Sequence, residues 1–354
     1  MAAGCAPAER IPMDGRAAYL LAVGTALPGP ALSNAHLARR FGLPGVWEQW
    51  VDTFIGTRNR HLARDLDTGE VRYSLTDMCE TAGARALAAA GVGPDDVDLV
   101  VLGTSSPDRL MPATVNMVAD RLGIDGVPTY QMQSGCTGAV QALDVAHKLL
   151  LVGRGRTALV LGADSCAKHL DVHADTSGAD PAEQVNGVLF GDGAGAAVLR
   201  TEPVPGALEV RHVELRLVGR GRAPGQVVEW FGAGDGPPTA PVVEDYKAIE
   251  ESVPPMAQRT LRRVLDELDW QDDEVDYLLP PQLSGRMTAR ITAALGLPGA
   301  YEVSCVADIG NTGNALPFFQ LEQVMPKMAA GDRAVGVAIE SSKWIEAGFA
   351  LEAV

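Results

Sequence analysis

One cysteine in this sequence sits where a thiol could act as a nucleophile. Gln133-Ser134-Gly135-Cys136-Thr137-Gly138-Ala139 leads into a stretch where Val140, Leu143, Ala146 and Leu150 recur at helical spacing. A thiol at such a terminus lies near unpaired backbone N–H groups and the positive end of the helix dipole. Both favour the thiolate, which is the attacking form. The flanking glycines mark a tight passage from strand to helix. Cys79, Cys166 and Cys305 have no such setting and read as small core hydrophobes. The five cysteines are odd in number and contain no CxxC pair. That argues against a disulfide framework or a zinc site and for a reducing compartment.

Cys136 has an echo. Gly135-Cys136-Thr137-Gly138 is matched 175 residues on by Gly310-Asn311-Thr312-Gly313. Each is followed by a helical pattern, a Gly-Arg or Gly-Asp-Arg turn, and an apolar run, Ala158–Leu161 or Ala334–Ile339. A second pair of similar segments occurs at 95–102 (DDVDLVVL) and 273–279 (DEVDYLL). The chain therefore reads as a loose leader, 1–16, and two α/β halves, 17–200 and 201–354, packed as a pseudo-twofold pair. Cys136 and Asn311 would face each other at equivalent helix N-termini across the junction, a frequent place for a site. Asn311 has two readings, a donor to a substrate carbonyl and a helix cap.

The elements that must position these residues follow from apolar patterning. Strands are expected at Tyr19–Val23, Leu99–Leu102, Ala158–Leu161, Ala196–Leu199, Tyr277–Leu279 and Ala334–Ile339, and helices at Thr76–Ala90 and Pro255–Leu268. Gly219–Pro241, rich in Gly and Pro, reads as an irregular surface segment. Phe190-Gly191-Asp192-Gly193-Ala194-Gly195 lacks a following Lys-Ser/Thr and runs into a strand. It is a tight turn beside the nucleophile rather than a phosphate loop.

A net charge of −16, from 29 Lys+Arg against 45 Asp+Glu, argues against nucleic acid as a partner. A hydrophobic fraction of 47% excludes a disordered chain. Met1–Arg16 holds no apolar core of a signal peptide. The uncharged run Ala17–Ala38 is interrupted by Gly24, Pro28, Gly29 and Pro30, so it reads as strand and turn, with no membrane partner and a cytoplasmic location expected. His169 and His173, at i and i+4, lack a further ligand and read as loop histidines; no metal is expected. Asp308 and Glu340 flank the expected cleft, either as proton acceptors or as structural carboxylates, and no general base is assigned.

Several motifs together resemble the β-ketoacyl-ACP synthase III branch of the thiolase-like condensing enzymes over nearly the whole length. They are Trp50 with Gly56-Thr57-Arg58-Asn59-Arg60, Gly103-Thr104-Ser105-Ser106-Pro107, the Cys136 turn, Phe190–Gly195 and Gly310-Asn311-Thr312. The resemblance implies a five-layered αβαβα duplication, usually a homodimer. It also implies a cysteine that takes an acyl group from a carrier-protein or CoA thioester, and a His and an Asn that assist decarboxylation of a malonyl thioester. No cofactor beyond the acyl donor is implied.

The sequence departs from that pattern at the chemistry. Where the family has His-Gln-Ala-Asn, this chain has Pro281-Gln282-Leu283-Ser284, and no histidine follows His212. Proline has no ionisable group and no N–H, so it can neither hold a proton nor stabilise an enolate oxygen. The family's Gly-rich loop is replaced by Glu340-Ser341-Ser342-Lys343-Trp344, and the arginine used on CoA phosphate by Phe54. Each lost oxyanion or acid/base partner typically costs on the order of 10²–10³ in rate. Decarboxylative condensation needs both, whereas acylation of Cys136 needs mainly the thiol and an oxyanion hole.

The expected function is thus acyl transfer without decarboxylative condensation, as in tailoring of a secondary metabolite. Cys136 and Asn311 would be catalytic, and Pro281 would hold the family's histidine position. Trp50, Phe54, Ser284, Ser342 and Trp344 would contact donor or substrate, and the acceptor would be a small-molecule hydroxyl or amine. Arg286, where the family places a docking arginine, and Arg290, one turn on, would receive an acidic acyl carrier protein. The alternatives are a decarboxylating synthase that forms a carbon–carbon bond, and a non-catalytic partner subunit of a condensing enzyme.

Overall fold

The protein is described from a computed structural model covering residues 16–169, 188–228 and 242–354. The leader up to residue 15, His173 and the later part of Gly219–Pro241 lie outside the described residues. Ten strands form the main sheet and are numbered here in chain order. The first half contributes β1 (Tyr19–Ala26), β2 (Leu99–Thr104), β3 (Thr129–Gln133), β4 (Thr157–Asp164) and β5 (Gly193–Arg200). The second contributes β6 (Leu208–Leu217), β7 (Tyr277–Leu279), β8 (Tyr301–Glu302), β9 (Arg333–Glu340) and β10 (Ile345–Ala353).

Reading outward from the centre, one arm runs β1-β5-β4-β2-β3 and the other β6-β10-β9-β7-β8. In both arms the first two pairings are antiparallel and the last two parallel. The second arm is the first repeated, as the echo of Cys136 in Asn311 implied. Among the described residues the strands of the two arms pair where Tyr19 and Leu20 meet Glu209 and Leu208.

Helices complete five layers. Leu75–Ala90 and Thr114–Leu122 pack their apolar faces on the outer side of the first arm, and Tyr246–Leu268 and Gly285–Leu295 do so on the second. Gly138–Leu151 and Leu316–Val324 fill the space between the arms and share one core with strands from both. The middle layer carries the site, and its close packing needs glycine: a Cβ on Gly103 of β2 would lie 2.2 Å from the Gly138 carbonyl oxygen. Among the described residues no helix is long and apolar enough to cross a membrane.

Three expectations need correction. The second outer helix starts at Tyr246 rather than Pro255 and runs through Pro254 and Pro255. The prolines forfeit backbone bonds, but Val253, Met256 and Ala257 around them are buried, and that packing offsets the loss. Gly219–Pro241 is not wholly irregular, since Gln226–Val228 pairs with Val242–Glu244 as a small antiparallel ladder. Strands β3, β6, β8 and β10 were not anticipated. β6 carries Glu209, Arg211, Glu214 and Arg216, and β10 carries Glu346, whose charge masks its apolar pattern. Glu346 is fully buried, and Arg259 and Arg263 reach it at 2.8 and 2.6 Å.

Asn314 stitches the halves together. Its Nδ2 donates to the Ser134 carbonyl (3.0 Å) and to Asp164 Oδ2 (2.8 Å), and its Oδ1 accepts from Ala139 N–H (2.9 Å). Asn314→Ala leaves buried partners unmatched, each worth ~1–3 kcal/mol. Urea unfolding of this variant should show a loss of about 3 kcal/mol; a loss within the scatter of a surface substitution would show that the junction does not depend on it.

Candidate active site

β3 delivers the chain to Gln133, and Ser134 N–H bonds the Thr104 carbonyl at the end of β2 (3.2 Å). The turn closes with Gly138 N–H on the Gly135 carbonyl (2.9 Å), and Gly138 begins the helix. Cys136 sits in this turn, half-buried and with a free thiol.

The surroundings of the thiol differ from the sequence expectation. Burial pushes the Cys136 thiol up to about 12, and the charges of Glu340, Asp164 and Glu244 add to the rise. Only its own backbone N–H pulls the other way. The helix begins two residues after Cys136, so the dipole acts weakly there while three carboxylates act directly. At rest Cys136 is a thiol, not a thiolate.

Glu340 ends β9 and lies behind the turn, only 4% exposed. Its Oε2 accepts from the hydroxyls of Ser134 and Thr137, both at 2.6 Å, and its Oε1 from Ser342. Gln141 Nε2 supports both hydroxyls, at 2.7 Å to Ser134 and 3.0 Å to Thr137. On the other side, Asp164 at the end of β4 accepts from Ser105 N–H, from the hydroxyls of Thr104, Ser105 and Ser106, and from the backbone and side chain of Asn314. Burial raises its carboxyl against the pull of those bonds. Glu244, on the small ladder, is raised by burial too, and it is held by Gln226 and Tyr246.

Asn311 is 3% exposed and combines its two expected readings. Its Oδ1 accepts from Gly313 N–H (3.0 Å), which is a local cap. Its Nδ2 makes no hydrogen bond among the described residues and is open to a carbonyl oxygen. Its backbone pairs with Leu189 and Gly191, so the Phe190–Gly195 turn braces it. Asp192 in that turn accepts from the N–H groups of Ala63 (2.6 Å) and Ala167 (2.9 Å); burial raises it to about 7.

The remaining predicted residues fall into two groups. Trp50 and Phe54 stack at 6.4 Å between ring centroids, and Phe54 is 61% exposed. Arg286 bonds the Thr53 carbonyl beside them, while Arg58 pairs with Asp308 (2.6 Å) on the surface. Ser284 caps the next helix through Met287 N–H (3.2 Å), which occupies its hydroxyl. Arg290 pairs on the surface with Glu250, a contact worth ~0–1 kcal/mol that leaves it open to exchange partners.

Pro281 is buried just past β7. Its segment is pinned by Gln282, whose Oε1 accepts from Cys305 and Val306 N–H at 2.8 Å, and by Gln320 on the Pro280 carbonyl. Trp344 belongs to the core: it is 2% exposed at φ 62°, with Nε1 on the Ala223 carbonyl (2.7 Å) and Arg222 stacked 3.8 Å above its ring. It supports the loop rather than offering a face to substrate. Ser342 binds Glu340. His169 is half-buried, and burial lowers it.

Sequence reasoning missed Asn314, Ser134, Thr137, Asp164 and Glu244 as site residues. Asn314 had a signal, being a second polar residue in Gly310-Asn311-Thr312-Gly313-Asn314 before an apolar helix. Glu244 had none, since its approach depends on how the small ladder folds over.

The comparisons bear on this arrangement. A family model for 3-oxoacyl-[acyl-carrier-protein (ACP)] synthase III matches residues 130–216. A β-ketoacyl-[acyl-carrier-protein] synthase III of Pseudomonas aeruginosa (strain LESB58) is 34% identical over 310 residues, covering 84% of each chain. The chain belongs to the β-ketoacyl-[acyl-carrier-protein] synthase III family. The solved structure of the synthase III from Pseudomonas aeruginosa PAO1 superposes with a TM-score of 0.80 at 30% identity, covering 95% of this chain and 98% of that one. AbyA1, named a tetronic acid condensing enzyme, superposes with a TM-score of 0.92 at 59% identity, covering 95% and 99%. Synthase III enzymes are acyl-transferring condensing enzymes with a carrier protein as substrate partner.

A thiol raised this far should show it in chemistry. The rate of Cys136 alkylation by iodoacetamide should climb about tenfold per pH unit to at least pH 10 without levelling, and a plateau below pH 9 would contradict this environment.

Proposed function

We propose that Cys136 takes an acyl group from a carrier-protein thioester and passes it to an acceptor without decarboxylation, the acceptor including a hydroxyl. The observation that carries this reading is Pro281, buried just past β7 where the family has histidine, in a chain that keeps the Cys136 turn and an Asn311 amide free to donate. Decarboxylation needs a donor at the enolate oxygen, which proline cannot supply. In acylation the Cys136 Sγ–C bond forms and the carrier's C–S bond breaks. The proton leaves Cys136 for the departing carrier thiol, so no external base is consumed. In the second step the acceptor O–C bond forms, the Sγ–C bond breaks, and the hydroxyl proton returns to Cys136. A sulfur with a raised proton affinity suits that return.

The similarity to AbyA1 supports a particular product class. A tetronic acid is a five-membered lactone with an enol. Assembling one from two thioesters takes one O-acylation and one C-acylation. The carbon that attacks lies between two carbonyls and is already acidic, so no carboxylate has to be expelled. A site without the histidine remains adequate for both steps.

Phe54 in place of a phosphate-binding arginine favours a carrier protein over free CoA, and Arg286 with Arg290 on the same rim suits an acidic carrier. The acting form is proposed to be a homodimer in the reducing cytoplasm. Strand β3 is the open edge of its arm, and Leu110 (70%) and Met111 (85%) are exposed on the loop after β2.

Intact-protein mass spectrometry with acyl thioesters on carrier protein and on CoA tests this. A mass increase lost in Cys136→Ala, with no CO₂ released from the malonyl thioester, is expected. Restoring histidine with Pro281→His should not be needed for loading. Release of CO₂ by the native protein would assign it to carbon–carbon synthesis by decarboxylation. Loading unchanged in Cys136→Ala would remove the nucleophile from this cysteine.

A further inference from the structure

Glu340 is a buried carboxylate that the acyl-transfer scheme does not use. Its side chain presses against the nucleophile turn, because a Cβ on Gly135 would lie 3.2 Å from its Cδ. Hydroxyls on both sides of Cys136, those of Ser134 and Thr137, hold one of its oxygens, and Ser342 holds the other. No Lys, Arg or His side chain among the described residues bonds it; hydroxyls alone orient the carboxylate.

We propose that Glu340 determines the donor class: its carboxylate, held against the Cys136 turn, excludes carboxylated acyl thioesters of the malonyl type and reserves the site for uncharged ones. The inference rests on the acyl-transfer reading and adds what that site rejects. A carboxylate carried on a thioester reaching Cys136 brings a second negative charge into a half-buried pocket where screening is weak. Uncharged hydroxyacyl or ketoacyl chains meet no such penalty. The charges around the thiol all have the same sign. Asp164 acts on it from β4 and Glu244 from the small ladder, and among the described residues the charges that shift the thiol are all carboxylates. The upward push on the thiol agrees with this, Glu340 being the largest of the charge contributions.

Iodoacetamide and iodoacetate, which differ by one charge at nearly equal size, test the proposal on the full-length protein without requiring turnover. Native protein should prefer the neutral reagent at Cys136, with the ratio of rates read by intact mass spectrometry at one pH. Glu340→Gln should narrow that ratio about tenfold and move the alkylation profile toward lower pH. Glu340→Asp, which keeps the charge, should hold the ratio near the native value. The same order is expected for loading from acetyl-pantetheine against malonyl-pantetheine.

If Glu340 acts only as a clamp on the turn, Glu340→Gln changes both reagents alike and leaves the ratio intact, which overturns the proposal. A folded Glu340→Gln with native ratio and native profile overturns it equally, folding being checked by circular dichroism melting. Should the native protein load neither pantetheine thioester while still preferring iodoacetamide, the acyl-transfer reading fails and the charge selection by Glu340 stands.

Discussion

The structure depends on one constraint: the turn that carries Cys136 must be satisfied by groups from both halves of the chain. The first half supplies the turn, Thr104 and Asp164. The second supplies Asn314, which saturates the turn's far side, and Glu340, which fills the near side. Buried polar groups tolerate no missing partner, so the two arms cannot shift against each other without orphaning a donor at the nucleophile. The packing of the two middle helices, the glycine at 103 and the brace of Phe190–Gly195 on Asn311 all serve that seam.

Within the seam the electrostatics take an uncommon form. A cysteine nucleophile is usually kept reactive by an adjacent cation. Here burial raises the Cys136 thiol and nearby carboxylates add to the effect, so the thiol keeps its proton at rest. Exchange between two thiols moves a proton from one sulfur to the other and asks little of a base. The cost falls instead on any substrate bringing its own negative charge. On the reading proposed above, proline where the family has histidine and glutamate where it has a glycine loop are consistent with one another, since neither would help an anionic extender.

Much of this was legible in the sequence. The echo between Gly135–Gly138 and Gly310–Gly313 carried the duplicated topology, because a repeated turn-helix-strand order leaves few ways to build the second arm other than the first. The apolar strands of the interior were found because all or most of their side chains are apolar and buried. What escaped was charge that folding neutralises. β10 was hidden by Glu346, whose two arginines come from a helix more than eighty residues away. The true start of the helix at Tyr246 was hidden by Pro254 and Pro255, since local rules end helices where tertiary packing here carries one on. The thiol's elevation was illegible for a related reason: proximity to a helix start can be read from spacing, but Glu340 reaches Cys136 only across 204 positions of chain, through β9.

The duplicated arrangement also bears on how the protein could be taken apart. Cys136 belongs to one arm and the free amide of Asn311 to the other, and among the described residues the strands of the two arms pair through the short β1–β6 contact. A break in the surface turn between β5 and β6 would therefore give two fragments, each with a complete arm and one of the two groups. On the acyl-transfer reading proposed above, neither piece could carry an acyl group through alone. Any turnover recovered on mixing them would be a direct count of reunited molecules, which makes the fold a ready split reporter of its own assembly.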